Sequence, residues 1–147
     1  MFLRHPILSL ATIAYLALVG WLTLTPRSGA VDDSILWPLA RFFARFDATD
    51  WLTFSRLEFA ANIALFVPLG LFFVLLLGRR QWWLAIFLGV VATVAIELAQ
   101  RGIAGRVSDP RDLVANSIGA ILGTLLALLL TAAGARRARA RAALSGA

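Results

Sequence analysis

The chain has 147 residues, 61% of them hydrophobic and 15% charged, where a soluble domain holds roughly 45–50% apolar residues and about 25% charged ones. A chain this short has a large surface to wet and cannot hide so much apolar side chain, which excludes an ordinary soluble enzyme, a disordered chain and a coiled coil in favour of an integral membrane protein. All 14 basic residues are Arg, against 8 acids, for a net charge of +6, with no Cys and one His. That removes lysine Schiff-base and Walker-type phosphate chemistry, disulfides, thiolate metal sites and thiol nucleophiles, and argues against a His-cluster zinc site.

Four apolar stretches approach the ~20 residues that a membrane-spanning helix needs. The first covers residues 7–24 and stops at Thr25-Pro26-Arg27. Ser28-Gly29-Ala30 looks like a signal-peptidase site, but the run before it exceeds the ~7–15 apolar residues of a signal peptide, so it reads as a span. Residues 26–57 form a long first loop that is not simply polar: Ile35, Leu36, Trp37, Leu39, Phe42, Phe43 and Phe46 are apolar, and Arg41 and Arg45 lie four apart. This reads either as a helix lying in the membrane interface or as one packed over the ends of the spans. The second stretch, 59–78, ends at Arg79-Arg80; the third covers 82–99; the fourth, 113–135, runs into an Arg-rich tail over 136–147. Trp21, Trp82 and Trp83 stand near span ends, the usual interfacial place for such rings.

The arginines divide evenly between the two sides, seven (4, 79, 80, 136, 137, 139, 141) against seven (27, 41, 45, 56, 101, 106, 111). Density breaks the tie, because the rule weighs short segments close to helix ends. The Arg79-Arg80 turn and the tail are dense in Arg, and all acids lie on the other side. Both termini are therefore expected in the cytoplasm. The tail, directly after a span, reads as an anionic-lipid contact rather than a nucleic-acid site.

Polar residues cluster at one end of the expected bundle. Asn62 lies about one turn inside the second span, Glu97 and Gln100 end the third, Arg106, Asp109 and Asp112 occupy the next loop, and Asn116 lies about one turn inside the fourth. Chain direction brings these together at the end opposite the Arg tail, and intramembrane polar groups need partners. A polar pocket there, roofed by the first loop, is the expectation. An internal echo accompanies it: Ser55-Arg56-Leu57-Glu58 precedes Asn62 as Asp109-Pro110-Arg111-Asp112 precedes Asn116, with Gly70 and Gly123 at similar depths. This suggests two pseudo-repeated hairpins with a site at their interface. Simpler structural roles compete. Ser55-x-x-Glu58 has the form of a capping box. Asp109 fits an N-cap with Pro110 at the first helical position. Asn62 and Asn116 can bond helix to helix, and Gly119 and Gly123 form a small-xxx-small contact. Glu97 stands four residues before Arg101, in favourable order for an ion pair. Pro68 marks a kink in the second span.

At these residues the chain resembles the VanZ-like membrane proteins, named after a teicoplanin-resistance protein. Asn62-Ile-Ala-Leu-Phe66-Val-Pro68-Leu-Gly70 is similar to one family signature, and Glu97-x-x-Gln100, Arg106-x-x-Asp109-x-x-Asp112-x-x-x-Asn116-x-x-Gly119-x-x-x-Gly123 to the second. The resemblance implies a small multi-span protein of the bacterial cytoplasmic membrane, and the four apolar stretches make the expected fold an all-α membrane protein with four transmembrane helices. It supplies no reaction. Three functions follow as expectations. In the first, a non-enzymatic envelope protein binds a lipid headgroup, an envelope precursor or a glycopeptide through Asn62, Glu97, Gln100, Arg106, Asp109, Asp112 and Asn116, with Arg106 as a fork for phosphate or carboxylate. In the second, an intramembrane enzyme uses Glu97 or Asp112 as general base on a lipid-linked substrate. In the third, a structural helper packs against a larger complex through its small-residue faces. No cofactor, no resident metal and no nucleic acid are expected.

Overall fold

The computed structural model describes residues 6–25, 31–49, 51–103 and 109–145, with the side chains of 31–35, 136, 138–140 and 142–145 also outside the description. Arg106 therefore lies outside the described residues, as do Arg4, Arg27 and the Ser28-Gly29-Ala30 segment. The described residues form five α-helices: α1 (Pro6–Leu24), α2 (Val31–Phe43), α3 (Phe54–Leu77), α4 (Trp82–Gln100) and α5 (Pro110–Ser145), with a 3-10 turn over Arg79–Gln81. Four are long and apolar enough to cross a membrane: Pro6–Leu24, Phe54–Leu77, the turn with α4 (Arg79–Gln100), and Pro110–Ala135. This is a multi-pass membrane protein built on a four-helix all-α scaffold with a fifth, peripheral helix.

Two element boundaries differ from the hydrophobic pattern. α3 begins at Phe54 rather than 59, because its first turns carry Ser55, Arg56 and Glu58, which are helical but not apolar. α5 continues past the membrane-length segment to Ser145, since the Ala/Arg tail is made of strong helix formers. The tail is thus a helical extension of the fourth span.

α3 and α5 form the most extensive helix pair, and α4 packs against α5. Small residues make this possible. A Cβ on Gly123 would overlap the Val67 carbonyl oxygen, one on Gly119 the Ile63 carbonyl, and one on Gly70 the Ala120 carbonyl. The backbones therefore touch, the geometry in which membrane helices gain dispersion and Cα–H···O contacts. These contacts rise together in residue number, so α3 and α5 are parallel. On α4, Gly89 meets Ala120 while Thr93 meets Asn116, so α4 runs antiparallel to α5. α1 closes the bundle: Val19 is buried against Phe66 and Leu69, and the Tyr15 hydroxyl donates to the Leu65 carbonyl (2.8 Å). The α3–α4 connection turns at Gly78, whose φ of 88° is open to glycine and strained for other residues. α3 continues as helix through Pro68; membrane helices tolerate such a missing N–H because neighbours re-satisfy the freed carbonyl.

Candidate functional site

The register just described gathers four helix ends: the C-termini of α1 and α4 and the N-termini of α3 and α5. Polar side chains at this end bond across helices in pairs. Asn62 Nδ2 on α3 donates to Asp112 Oδ1 on α5 (2.7 Å). Asn116 Nδ2 on α5 donates to Thr93 Oγ on α4 (2.9 Å). Gln100 Nε2 on α4 donates to the Thr23 carbonyl of α1 (2.8 Å). Each pair ties two spans together. Glu97, Gln100 and Asn116 are all buried, so three polar side chains sit in the protein interior at membrane depth, a placement that costs free energy unless partners are supplied. The pairs supply most of them. Asn116 Oδ1 and, two turns deeper on the same helix face, Thr124 Oγ are buried without a protein hydrogen-bond partner.

Toward the aqueous edge, the N-termini of α3 and α5 frame a small open cleft, with about 10 Å³ of space for water, lined by Ser55, Glu58, Phe59, Asp109, Arg111 and Asp112. The echoed segments of the sequence thus stand opposite each other as its two walls, since parallel neighbours place equivalent positions at the same height. Arg111 Nη1 donates to Ser55 Oγ (2.7 Å) and its guanidinium lies 6.0 Å from the Phe59 ring centre, at the limit of cation–π range. Three acids and one Arg make the lining electronegative. That space suits one small polar group, of about the size of a water, rather than a whole headgroup.

The helix starts decide between capping and other roles. Asp109 Oδ1 accepts the Arg111 N–H (2.8 Å) and its carbonyl accepts the Asp112 N–H (2.9 Å), so Asp109 is the N-cap of α5, as its position before Pro110 indicated. The Ser55–Glu58 capping box does not form. α3 starts two residues earlier, with Thr53 at the N-cap position, and the Ser55 hydroxyl accepts from Arg111 instead. In the first loop, α2 meets α3 through a stacked pair, Trp37 on Phe54 (4.7 Å, 22°), and among the described residues the lining of the cleft comes from the N-terminal turns of α3 and from Asp109 and the first turn of α5.

Of the residues singled out from the sequence, Asn62 and Asp112 meet, while Asn116 pairs with Thr93 rather than with another member of the set. Gln100 serves α1, and Asp109 its own helix. Arg111, Ser55 and Thr93 are the partners that sequence reasoning did not place. Arg111 stands between two residues of the signature, and Thr93 falls one turn before Glu97 on the stripe of α4 that also holds Gly89; those spacings were the available signals. Among the described residues there is no group of three or more His, Cys, Asp or Glu able to hold a metal ion.

Comparison with known proteins adds one finding. The family model VanZ/LLP1 matches residues 12–131, which takes in the second and third spans, most of the first and fourth, and both echoed segments. No curated protein and no solved structure matches the chain.

Proposed function

Because the chain belongs to the VanZ/LLP1 family, we propose that it is a non-enzymatic protein of the bacterial cell envelope. It sits in the cytoplasmic membrane with both termini inside. Its outward polar end receives the polar part of an amphiphile: a membrane lipid, a lipid-linked envelope precursor or a glycopeptide-type antibiotic. The carrying observation is the convergence of four helix ends on cross-helix polar pairs, Asn62–Asp112, Asn116–Thr93 and Gln100–Thr23, beside a cleft walled by Glu58, Asp109, Arg111 and Asp112. Polar groups locked to one another across spans form a preorganised receptor, which binds without spending interaction energy on ordering itself. The cleft admits one polar group of such a ligand while the apolar remainder stays in lipid. Arg106, in the segment joining α4 to α5, supplies the guanidinium fork for an anionic portion of the ligand, and Glu97, Asp112, Asn62 and Asn116 orient that Arg or bond the polar groups of the ligand.

The test is binding by the purified protein in lipid nanodiscs, with a fluorescent glycopeptide and a labelled lipid-linked precursor as probes. Saturable binding of either probe, weakened at least tenfold in Arg106→Lys because an ammonium cannot reproduce the planar fork, is the expected result. Wild-type binding in Arg106→Lys counts against the role given to that residue. No binding of either probe, together with unchanged glycopeptide susceptibility of cells expressing the protein, sinks the receptor reading. Tolerance of Ala at Glu97, Arg106 and Asn116 together would instead mark the protein as a packing partner in a larger complex.

A further inference from the structure

The helix α2 and the turn after it carry large apolar side chains that the bundle does not cover. Trp37, Leu39, Phe42, Phe46 and Trp51 are all exposed. At ~100° per residue they are not scattered. Ala40 is buried and Leu36 half-buried; with Trp37, which stacks on Phe54, they make the side that meets α3. Leu39 and Phe42 project from a second side, and Phe46, in the turn after the helix, joins them through an edge-to-face contact with Phe42 at 5.5 Å. Arg41 and Arg45, both exposed, project from a third, away from the Leu39–Phe42–Phe46 stripe. A helix with one face on protein, one apolar and one cationic is built for a boundary between hydrocarbon and water.

The height of α2 fits that boundary. Its Trp37 rests on Phe54, the first residue of a spanning helix. All five Trp of the chain are exposed and fall into two groups, Trp21, Trp37 and Trp51 at the polar end and Trp82 and Trp83 at the other, the arrangement of the two aromatic belts of a membrane protein. Two of the three Trp in the first belt therefore come from α2 and its turn. Among the described residues between α2 and α3, backbone groups find partners within the segment itself, as suits a segment near hydrocarbon. The Thr49 hydroxyl donates to the Phe43 carbonyl (2.8 Å), the Thr49 and Leu52 N–H groups to the Phe46 and Thr49 carbonyls (2.9 Å each), and Arg56 Nη1 to the Trp51 carbonyl (2.6 Å).

We propose that α2 and its turn are an interfacial lipid anchor: Leu39, Phe42 and Phe46 enter the acyl region of the leaflet at the polar end, and Arg41 and Arg45 hold lipid phosphates. The occupant of the exposed stripe is the same bilayer that surrounds the four spans, whose lipid-facing surface the stripe continues. This inference is independent of any ligand at the cleft.

The native chain has no Cys, so single cysteines carry nitroxide spin labels cleanly. Phe42→Cys, Phe46→Cys, Arg41→Cys and Arg45→Cys are labelled in the full-length protein, in vesicles of phosphatidylethanolamine and phosphatidylglycerol. Collision is read with oxygen, which concentrates in hydrocarbon, and with a water-soluble nickel chelate. Leu39→Cys repeats the reading at a third point of the stripe, and Leu129→Cys on α5 reports whether each preparation is inserted. The expected result is oxygen-dominated collision at 39, 42 and 46 and nickel-dominated collision at 41 and 45. Nickel-dominated collision at 42 and 46 overturns the proposal by placing the stripe in water. Protection from both reagents overturns it in another way, by showing the stripe covered by protein, such as a second copy of this chain.

Discussion

Asn116 shows how a single buried residue divides its work. Its amide N–H donates to Thr93 Oγ while its Oδ1 finds no protein donor. An unsatisfied buried acceptor costs about 1–3 kcal/mol, so the Asn–Thr pair is retained against a standing penalty. Thr93→Val should strand both ends of the carboxamide and destabilise the protein. Adding Asn116→Leu to it should recover part of the loss, because no polar group is then left in the core. The coupling between the two sites is expected at about 0.5–2 kcal/mol, read from unfolding in mixed detergent micelles. Additive losses would show that the bond contributes nothing. Asp109 offers a second residue-scale test. As an N-cap, it should be replaceable by Asn at little cost in stability, whereas Asp109→Ala should lose about 1 kcal/mol. If Asp109→Asn keeps stability and yet abolishes probe binding in nanodiscs, the carboxylate has a role beyond capping.

The elements are held at a distance chosen by glycine. At Gly119 and Gly123 any side chain must push into the backbone of α3, and backbone atoms in a helix cannot step aside. Gly123→Val should therefore separate α3 from α5 and cost roughly 3 kcal/mol or more, visible as a large fall in thermal stability in detergent. Gly20 and Gly134 have nothing within 4 Å of a built Cβ. Gly20→Ala should leave stability unchanged or raise it by up to about 1 kcal/mol through helix propensity. Equal effects at Gly123 and Gly20 would mean that the α3–α5 contact is looser than described. The consequence reaches the cleft, since its two walls are the N-terminal turns of these two helices, and Asn62 can reach Asp112 only at this spacing.

For the whole molecule, the asymmetry between the two ends organises everything else. One end gathers the acids, the cross-helix amide bonds and the cleft; the other carries the Arg79–Gln81 turn and the Arg-bearing extension of α5. Dense positive charge close to span ends favours the cytoplasmic side, and on that ground we propose that the polar end faces outward. Cysteine at Ala48 should then react with a membrane-impermeant thiol reagent on intact cells, while cysteine at Ala138 should react only after permeabilisation. The reverse pattern would turn the cleft toward the cytoplasm and redirect the search for its ligand.

The spans, their order and the family were legible in the linear chain, because hydrocarbon imposes a length and a composition on each helix, and alternation of direction alone brings Asn62, Glu97, Gln100, Asp112 and Asn116 to one end. The cap at Asp109 was legible for a similar reason: it is a local bond within four residues. What only the tertiary structure decided was who meets whom. That Asn62 takes Asp112, that Asn116 takes Thr93, and that Ser55 gives up a cap to receive Arg111 depend on the rotation and spacing of α3, α4 and α5 about their axes. Those rotations follow from where glycine lets backbones touch, a property of pairs of helices that no single stretch of sequence carries. The place of α2 was decided in the same way. Its pattern allowed a roof or an interfacial helix, and the contact of Trp37 with Phe54 left its second apolar side uncovered by the bundle.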